Sequence, residues 1–199
     1  MRIKLLSICF LMLLLTGKCF SQENLSVYEL PKPANWHTEK FALPPSFATT
    51  LPFSGTEDIR FSPEWSKKHT DGYWTYCFLW RIKDAVSFTK VNMEQYLHDY
   101  YTGLIKVNLK EAKMDTALAI PVKVQLHNSR KSKTDLQAFE GRVEMLDYMT
   151  QDPIKLNFRI HIKKHKPGSN DSAVLFEVSP QPYEHKVWVE LDGFDKSIK

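Results

Sequence analysis

The chain has 199 residues, 43% of them apolar and 25% charged, with 27 basic against 23 acidic side chains and a formal charge of +4. Arg2, Lys4 and Lys18 fall in the first twenty-one residues with no acid beside them, so the remainder balances at 24 against 23. That near-neutrality excludes an electrostatic case for nucleic acid or anionic membrane as partner, and a single cysteine after residue 21, Cys77, excludes an internal disulfide framework.

Residues 1–21, MRIKLLSICFLMLLLTGKCFS, have the three-part form of an export signal. Arg2 and Lys4 open it, Leu5 to Leu15 form a run apolar but for Ser7, and Cys19 and Ser21 stand three and one residues before a cut ahead of Gln22. The run is too short for a spanning helix, which needs about 20 residues. Lys18 also departs from the small residue that lipid modification of Cys19 requires. The sequence therefore predicts a signal peptide over 1–21, a periplasmic or extracellular location, and no transmembrane segment after cleavage. The mature chain of about 178 residues is long enough for one domain held by its core.

Residues 22–62 read as an extended arm. Six of the eleven prolines fall between Leu30 and Pro63, interleaved with Trp36, Phe41, Phe47, Phe53 and Phe61. Proline excludes regular helix, and the aromatics exclude a solvated linker, so the arm lays its rings along a domain spanning 63–199. Tyr73 to Ile82, after the turn pair Asp71-Gly72, is a strand rich in aromatic and β-branched residues. Trp74, Tyr76, Phe78, Trp80 and Ile82 share one face, and the other face is also mostly apolar, which makes the strand central. Glu57 to Ser62 is a shorter partner across the loop Pro63 to Gly72. Cys77 within the long strand is a small buried hydrophobe.

Asn92 followed by Gln95 forms a capping box, and Met93, Tyr96, Leu97, Tyr100, Leu104 and Val107 recur at helical spacing, predicting a helix over Met93 to Lys110. Gly103 inside it marks a close contact with the sheet. Four strand-like runs follow, around Ile120–Leu126, Phe139–Met145, Ile154–Ile162 and Val174–Val178, separated by turns at Asn128–Asp135, Thr150–Pro153 and Pro167–Asp171. Val143 opposite Ile160 would bring Glu144 to Arg159 and Glu140 to Lys163. Glu184 to Leu191 forms a short closing helix. The expected class is α+β, an antiparallel sheet of about six strands in the order β-β-α-β-β-β-β, with one main helix covering one face.

No nucleophile elbow or related catalytic motif is present, and Cys77 has no recognisable catalytic setting. His161 and His165 share a strand face but offer only two metal ligands, with Lys163 between them, so no metal and no cofactor is assigned. Glu57 and Asp58 point to opposite faces of a strand and cannot flank one bond. The aromatic strand could stack sugars, although an aromatic face at strand spacing is more often core.

Trp36-His-Thr-Glu39, Leu43-Pro-Pro-Ser-Phe-Ala48, Gly55-Thr-Glu-Asp-Ile-Arg-Phe61, Tyr73 to Trp80 and Phe176-Glu-Val-Ser-Pro-Gln-Pro182 together resemble an uncharacterised family of exported bacterial proteins. The resemblance implies export and a single domain, and transfers no catalytic residue. Within these motifs Glu39, Glu57, Arg60 and Glu177, with Trp80 from the aromatic strand, are the candidate binding residues. The expected function is a non-enzymatic binding or accessory domain of the cell envelope, its partner an unspecified envelope ligand or protein. A hydrolase acting on an envelope or extracellular substrate is the alternative.

Overall fold

The computed structural model describes residues 28–165 and 171–198. The proposed signal peptide and the turn expected at Pro167-Gly168 lie outside these residues. The fold is α+β: one antiparallel sheet of seven strands with two helices. The strands are β1 (His37–Leu43), β2 (Gly55–Phe61), β3 (Tyr76–Ile82), β4 (Lys123–Asn128), β5 (Asp135–Leu146), β6 (Pro153–Lys163) and β7 (Ser172–Ser179). Their order across the sheet is β1-β2-β3-β7-β6-β5-β4. Helix α1 (Lys90–Glu111) follows β3 and helix α2 (Val187–Ser197) closes the chain.

Strand β3 is buried on both sides, and the register around it assigns each neighbour a face. Tyr76, Phe78, Trp80 and Ile82 point toward α1, where Phe78 stacks on Phe176 of β7 with centroids 4.3 Å apart. Cys77 and Leu79 point the other way, into a smaller cluster with Ala173, Leu175 and the α2 side chains Val187, Trp188, Leu191 and Phe194. Beyond β7 the α2 side of the sheet becomes polar, and Arg159 and Lys155 of β6 meet Glu140 and Glu144 of β5 there.

Strand β1 is an element the sequence pattern did not reveal. His37, Thr38, Glu39 and Lys40 are all exposed, so no alternation of burial marks it. It pairs with β2 from His37↔Phe61 to Leu43↔Gly55, and Pro44-Pro45, which cannot continue a ladder, end it. The arm thus contributes two strands. Its N-terminal part reaches the α2 side, where Leu30 is buried and Trp36 packs edge-on against Phe194. Residues 44–54 cross to the α1 side, where Ala48, Leu51 and Phe53 are buried.

Helix α1 starts earlier than its sequence suggested. The cap is Thr89, whose hydroxyl accepts from the Asn92 N–H at 3.2 Å, rather than Asn92 itself. The buried stripe runs Met93, Leu97, Tyr101, Ile105 and Leu109, with Tyr100 beside it. Glu94 accepts from the Leu126 N–H at 2.8 Å and so ties the helix to β4. Helix α2 begins at Val187 and runs beyond Leu191 to Ser197, because Phe194 extends its buried stripe by one more turn.

The β5–β6 hairpin corrects the expected register. Val143 faces Leu156, not Ile160, and Ile160 faces Phe139. The displacement is an even number of residues, so the inward set is unchanged. Opposite charges still meet, Glu144 with Lys155 and Glu140 with Arg159, which is why charge pairing alone did not discriminate. The turn decides: Asp147 N–H donates to Asp152 O at 2.9 Å, and the Asp147 carboxylate accepts from Met149 N–H at 2.9 Å and Thr150 Oγ1 at 2.8 Å.

Gly103 does mark a close approach, but to the arm rather than the sheet. A Cβ there would lie 1.8 Å from the Phe47 carbonyl oxygen. Gly103→Ala should therefore cost about 1–3 kcal/mol in urea denaturation, the backbone overlap outweighing the better helix propensity of alanine.

Candidate functional site

The α1 side of the sheet opens at one end into a cleft of about 600 Å³. Six separate stretches of chain build it. Strand β1 brings His37, Glu39 and Phe41, the arm brings Phe47, and β2 brings Ile59 and Phe61. The β2–β3 loop and the start of β3 bring Trp65, Trp74 and Tyr76, while α1 brings Tyr100, Leu104 and Asn108, and the β5–β6 turn brings Tyr148. The rings touch in sequence around the wall: Phe61 to Trp65 at 4.7 Å, Trp65 to Trp74 at 5.7 Å, and Trp74 to Tyr148 at 5.2 Å between centroids. On the opposite wall Phe41 meets Phe47, and Phe47 meets Tyr100 edge-on at 5.1 Å.

Local hydrogen bonds hold these walls. Trp74 N–H donates to Trp65 O and Ser62 N–H to Thr75 O, both at 3.0 Å, and Ser62 Oγ donates to Gly72 O at 2.7 Å. This closes the β2–β3 loop into a rigid platform. Tyr73 OH donates to Asp147, the carboxylate that also orders the β5–β6 turn, so Tyr148 is fixed beside Trp74. Trp74 itself has φ of 51°, a left-handed conformation that costs a bulky residue about 1 kcal/mol or more. That conformation also ends β3 at Tyr76 rather than Tyr73.

The polar inventory of the cleft is unbalanced. The indole N–H of Trp65 is buried and has no hydrogen-bond partner, while that of Trp74, a residue 1% exposed, lies beside the Tyr73 hydroxyl. Glu39 stands at the rim with half its carboxylate side chain exposed, 3.6 Å from His37 Nε2. Asn108 donates to Leu104 O at 2.8 Å, which leaves its side-chain carbonyl to accept. Among the described lining residues there is no lysine or arginine.

The five candidate residues divide between the two faces. Glu39 lines the cleft. Glu57 lies behind it, fully buried opposite Trp80 in the β2–β3 register, and accepts from Tyr100 OH at 2.7 Å while its second oxygen has no partner. Trp80 is fully buried against Phe53 and Phe176 and does not reach the cleft. Arg60 is on the opposite face, donating to Pro31 O at 2.8 Å and Leu30 O at 3.1 Å and paired with Asp58, so it pins the arm. Glu177 is buried on that same face, opposite both Cys77 and Arg159 in the ladder. The cleft residues that motif reading did not single out are Trp65 and Tyr148. The only advance signal was a tryptophan inside the turn-rich loop Pro63 to Gly72.

Burial lifts the Glu57 carboxyl from its ordinary 4.5 to about 8, against the Tyr100 hydrogen bond and the nearby Trp80 indole, with the Glu39 charge adding to the rise. The native state then keeps a proton that the unfolded chain releases. Its contribution to stability is full below pH 4.5 and falls away as pH rises to about 8. Glu57→Gln retains the acceptor for Tyr100 and removes the ionisation. Its melting temperature should exceed that of the wild type by several degrees at pH 9, and the difference should shrink toward pH 5.

The second polar cluster is closed. Lys163, 1% exposed, donates to Asp135 Oδ1 at 2.8 Å and to Asp195 of α2. His161 Nδ1 lies 2.9 Å from Asp135 and its Nε2 3.9 Å from Glu177. Burial opposes protonation of His161, but Asp135, Glu177 and Asp195 outweigh it and raise its value to about 9. Asp135, His161 and Asp195 have the proximity of metal ligands, yet the Lys163 ammonium joins the two carboxylates and serves as their cation. Burial raises the Cys77 thiol well above its ordinary value, which suits packing rather than nucleophilic chemistry. Lys163→Met should destabilise by about 3–5 kcal/mol in urea, because it removes the buried ammonium that joins Asp135 to Asp195 and leaves both carboxylates to His161. The His161 contribution is full below pH 6.5 and lost as pH rises through about 9.

Compared with family models, curated proteins and solved structures, the chain finds no match. Among the described residues no helix is long and apolar enough to cross a membrane.

Proposed function

We propose that this protein is an exported, non-enzymatic binding domain that holds a small ligand in the aromatic cleft between β1, the β2–β3 loop and α1. The observation that carries this reading is the cleft itself. Its volume of about 600 Å³ falls within the roughly 300–1,000 Å³ of small-molecule sites, and its wall is mostly aromatic with a few polar groups. A buried N–H group without a partner is costly, at about 1–3 kcal/mol, and a ligand that accepts from the Trp65 indole recovers that cost. The export component rests on the leader pattern of residues 1–21, and the resemblance to exported bacterial proteins belongs to the same proposal.

A hydrolase is the second reading, favoured by one observation: Glu39 and Glu57 both face the α1 side, and the Glu39 charge adds to the rise of the Glu57 carboxyl. The burial of Glu57 counts against it. An acid must reach the bond it protonates, and this carboxyl is fully enclosed behind Tyr100.

A thermal-shift screen of the purified protein against a small-molecule library separates these readings. A ligand at a hundred times its Kd adds about 2.7 kcal/mol, which for a chain of this size raises Tm by about 5–10 °C. Saturable shifts of that order are expected, reduced at least tenfold in apparent affinity by Leu104→Trp, which fills the cleft from α1, or by Ser66→Trp at its exposed mouth. An absence of shifts, or shifts unchanged in both variants, would overturn the binding reading. Turnover of a hydrolase substrate panel that disappears in Glu39→Gln would replace it with the enzyme.

A further inference from the structure

Building on the binding reading above, we infer that the ligand class of the cleft is a neutral oligosaccharide, seated on the rings of Phe61, Trp65 and Tyr148 and accepting a hydrogen bond from the indole of Trp65. The inference comes from what the cleft offers and what it lacks. Phe61, Trp65 and Tyr148 line the cleft and are only partly buried, whereas the core aromatics Phe78 and Trp80 are fully enclosed. Aromatic faces carry negative charge density and favour the weakly positive C–H groups that cover the two flat sides of a pyranose.

The polar groups discriminate further. The buried Trp65 indole donor lacks an acceptor, while the Glu39 carboxylate at the rim and the Asn108 side-chain carbonyl can only accept. The fitting ligand therefore presents both acceptors and donors around an apolar face, which is the pattern of sugar hydroxyls. A purely hydrocarbon ligand would leave the Trp65 indole unsatisfied. An anionic ligand would meet Glu39 with no lysine or arginine among the described lining residues to balance it. An organic cation would gain from Glu39 and the rings, but would set positive charge against the Trp65 indole N–H donor.

Isothermal titration of the full-length mature protein tests the inference with four neutral hexasaccharides as probes: the cello-, malto-, xylo- and manno- series. Choline and laurate serve as representatives of the cationic and lipid classes. At least one hexasaccharide is expected to bind with Kd below about 1 mM. Trp65→Phe keeps a ring but deletes the N–H, and should weaken that binding about 5–10-fold, while Trp65→Ala should weaken it at least about 30-fold. Trp65 is partly exposed, and near-ultraviolet circular dichroism reports whether each variant retains the fold. Should Trp65→Ala lose that signal, Trp65→Phe and Ser66→Trp carry the test. Binding of choline or laurate without any hexasaccharide would overturn the saccharide assignment and leave the binding reading intact. Saccharide binding indifferent to Trp65→Phe would overturn the indole contact. Binding of none of the probes would overturn the saccharide assignment, and the library screen then decides the broader reading on its own.

Discussion

The rest of the structure depends on β3 being buried on both faces. A strand enclosed on one side can tolerate polar residues on the other, but Tyr76 to Ile82 has α1 and the arm above it and α2 below. Its two neighbours are then committed residue by residue. Phe78 stacks between Tyr100 of α1 and Phe176 of β7, at centroid separations of 5.8 Å and 4.3 Å, and such pairs contribute about 0.5–1.5 kcal/mol each beyond burial. The same register carries Glu57 in beside Trp80 and holds Arg60 and Glu177 on either side of Cys77. Three of the candidate polar residues are buried because they are ladder neighbours of this one strand.

Those buried groups meet their solvation cost in different ways. Arg60 is fully supplied with acceptors by the arm and by Asp58, so its charge fastens the N-terminal segment to the sheet. The Lys163 cluster joins β5, β6 and α2 by balanced charge, and every cation in it faces a carboxylate. Glu57 has one hydrogen bond, so it keeps its proton. The cleft differs from all of these. Its unsatisfied donor, the Trp65 indole N–H, belongs to a side chain that lines open space.

Much of the fold was legible before any coordinates. The alternation from Ile154 to Ile162 specified β6 and its inward residues, and the aromatic density of Tyr73 to Ile82 specified a central strand. What escaped had a common cause: information that sequence periodicity does not hold. Strand β1 shows no burial pattern because its first four residues are all exposed at the sheet edge. The hairpin register admitted two solutions with the same faces and the same charge complementarity, and only the hydrogen-bonded turn around Asp147 selects one. The cleft was less legible still. Glu39 lies within a readable motif, but Trp65 sits in a loop and Tyr148 in a turn, and nothing local tells that they meet.

By itself the sequence determined the class of fold, the identity of its central strand and main helix, the face on which most residues of each lie, and the near-neutral charge of the chain after residue 21. These follow from local quantities, namely side-chain polarity and a period of two or 3.6 residues. Only the tertiary structure decided which aromatic side chains became core and which became wall. Trp80 and Trp74 belong to the same aromatic run, yet one is sealed under α1 and the other opens onto the cleft. The difference is set by distant segments. The arm and α1 close over the middle of β3, and leave uncovered the end where the β2–β3 loop and the β5–β6 turn come together.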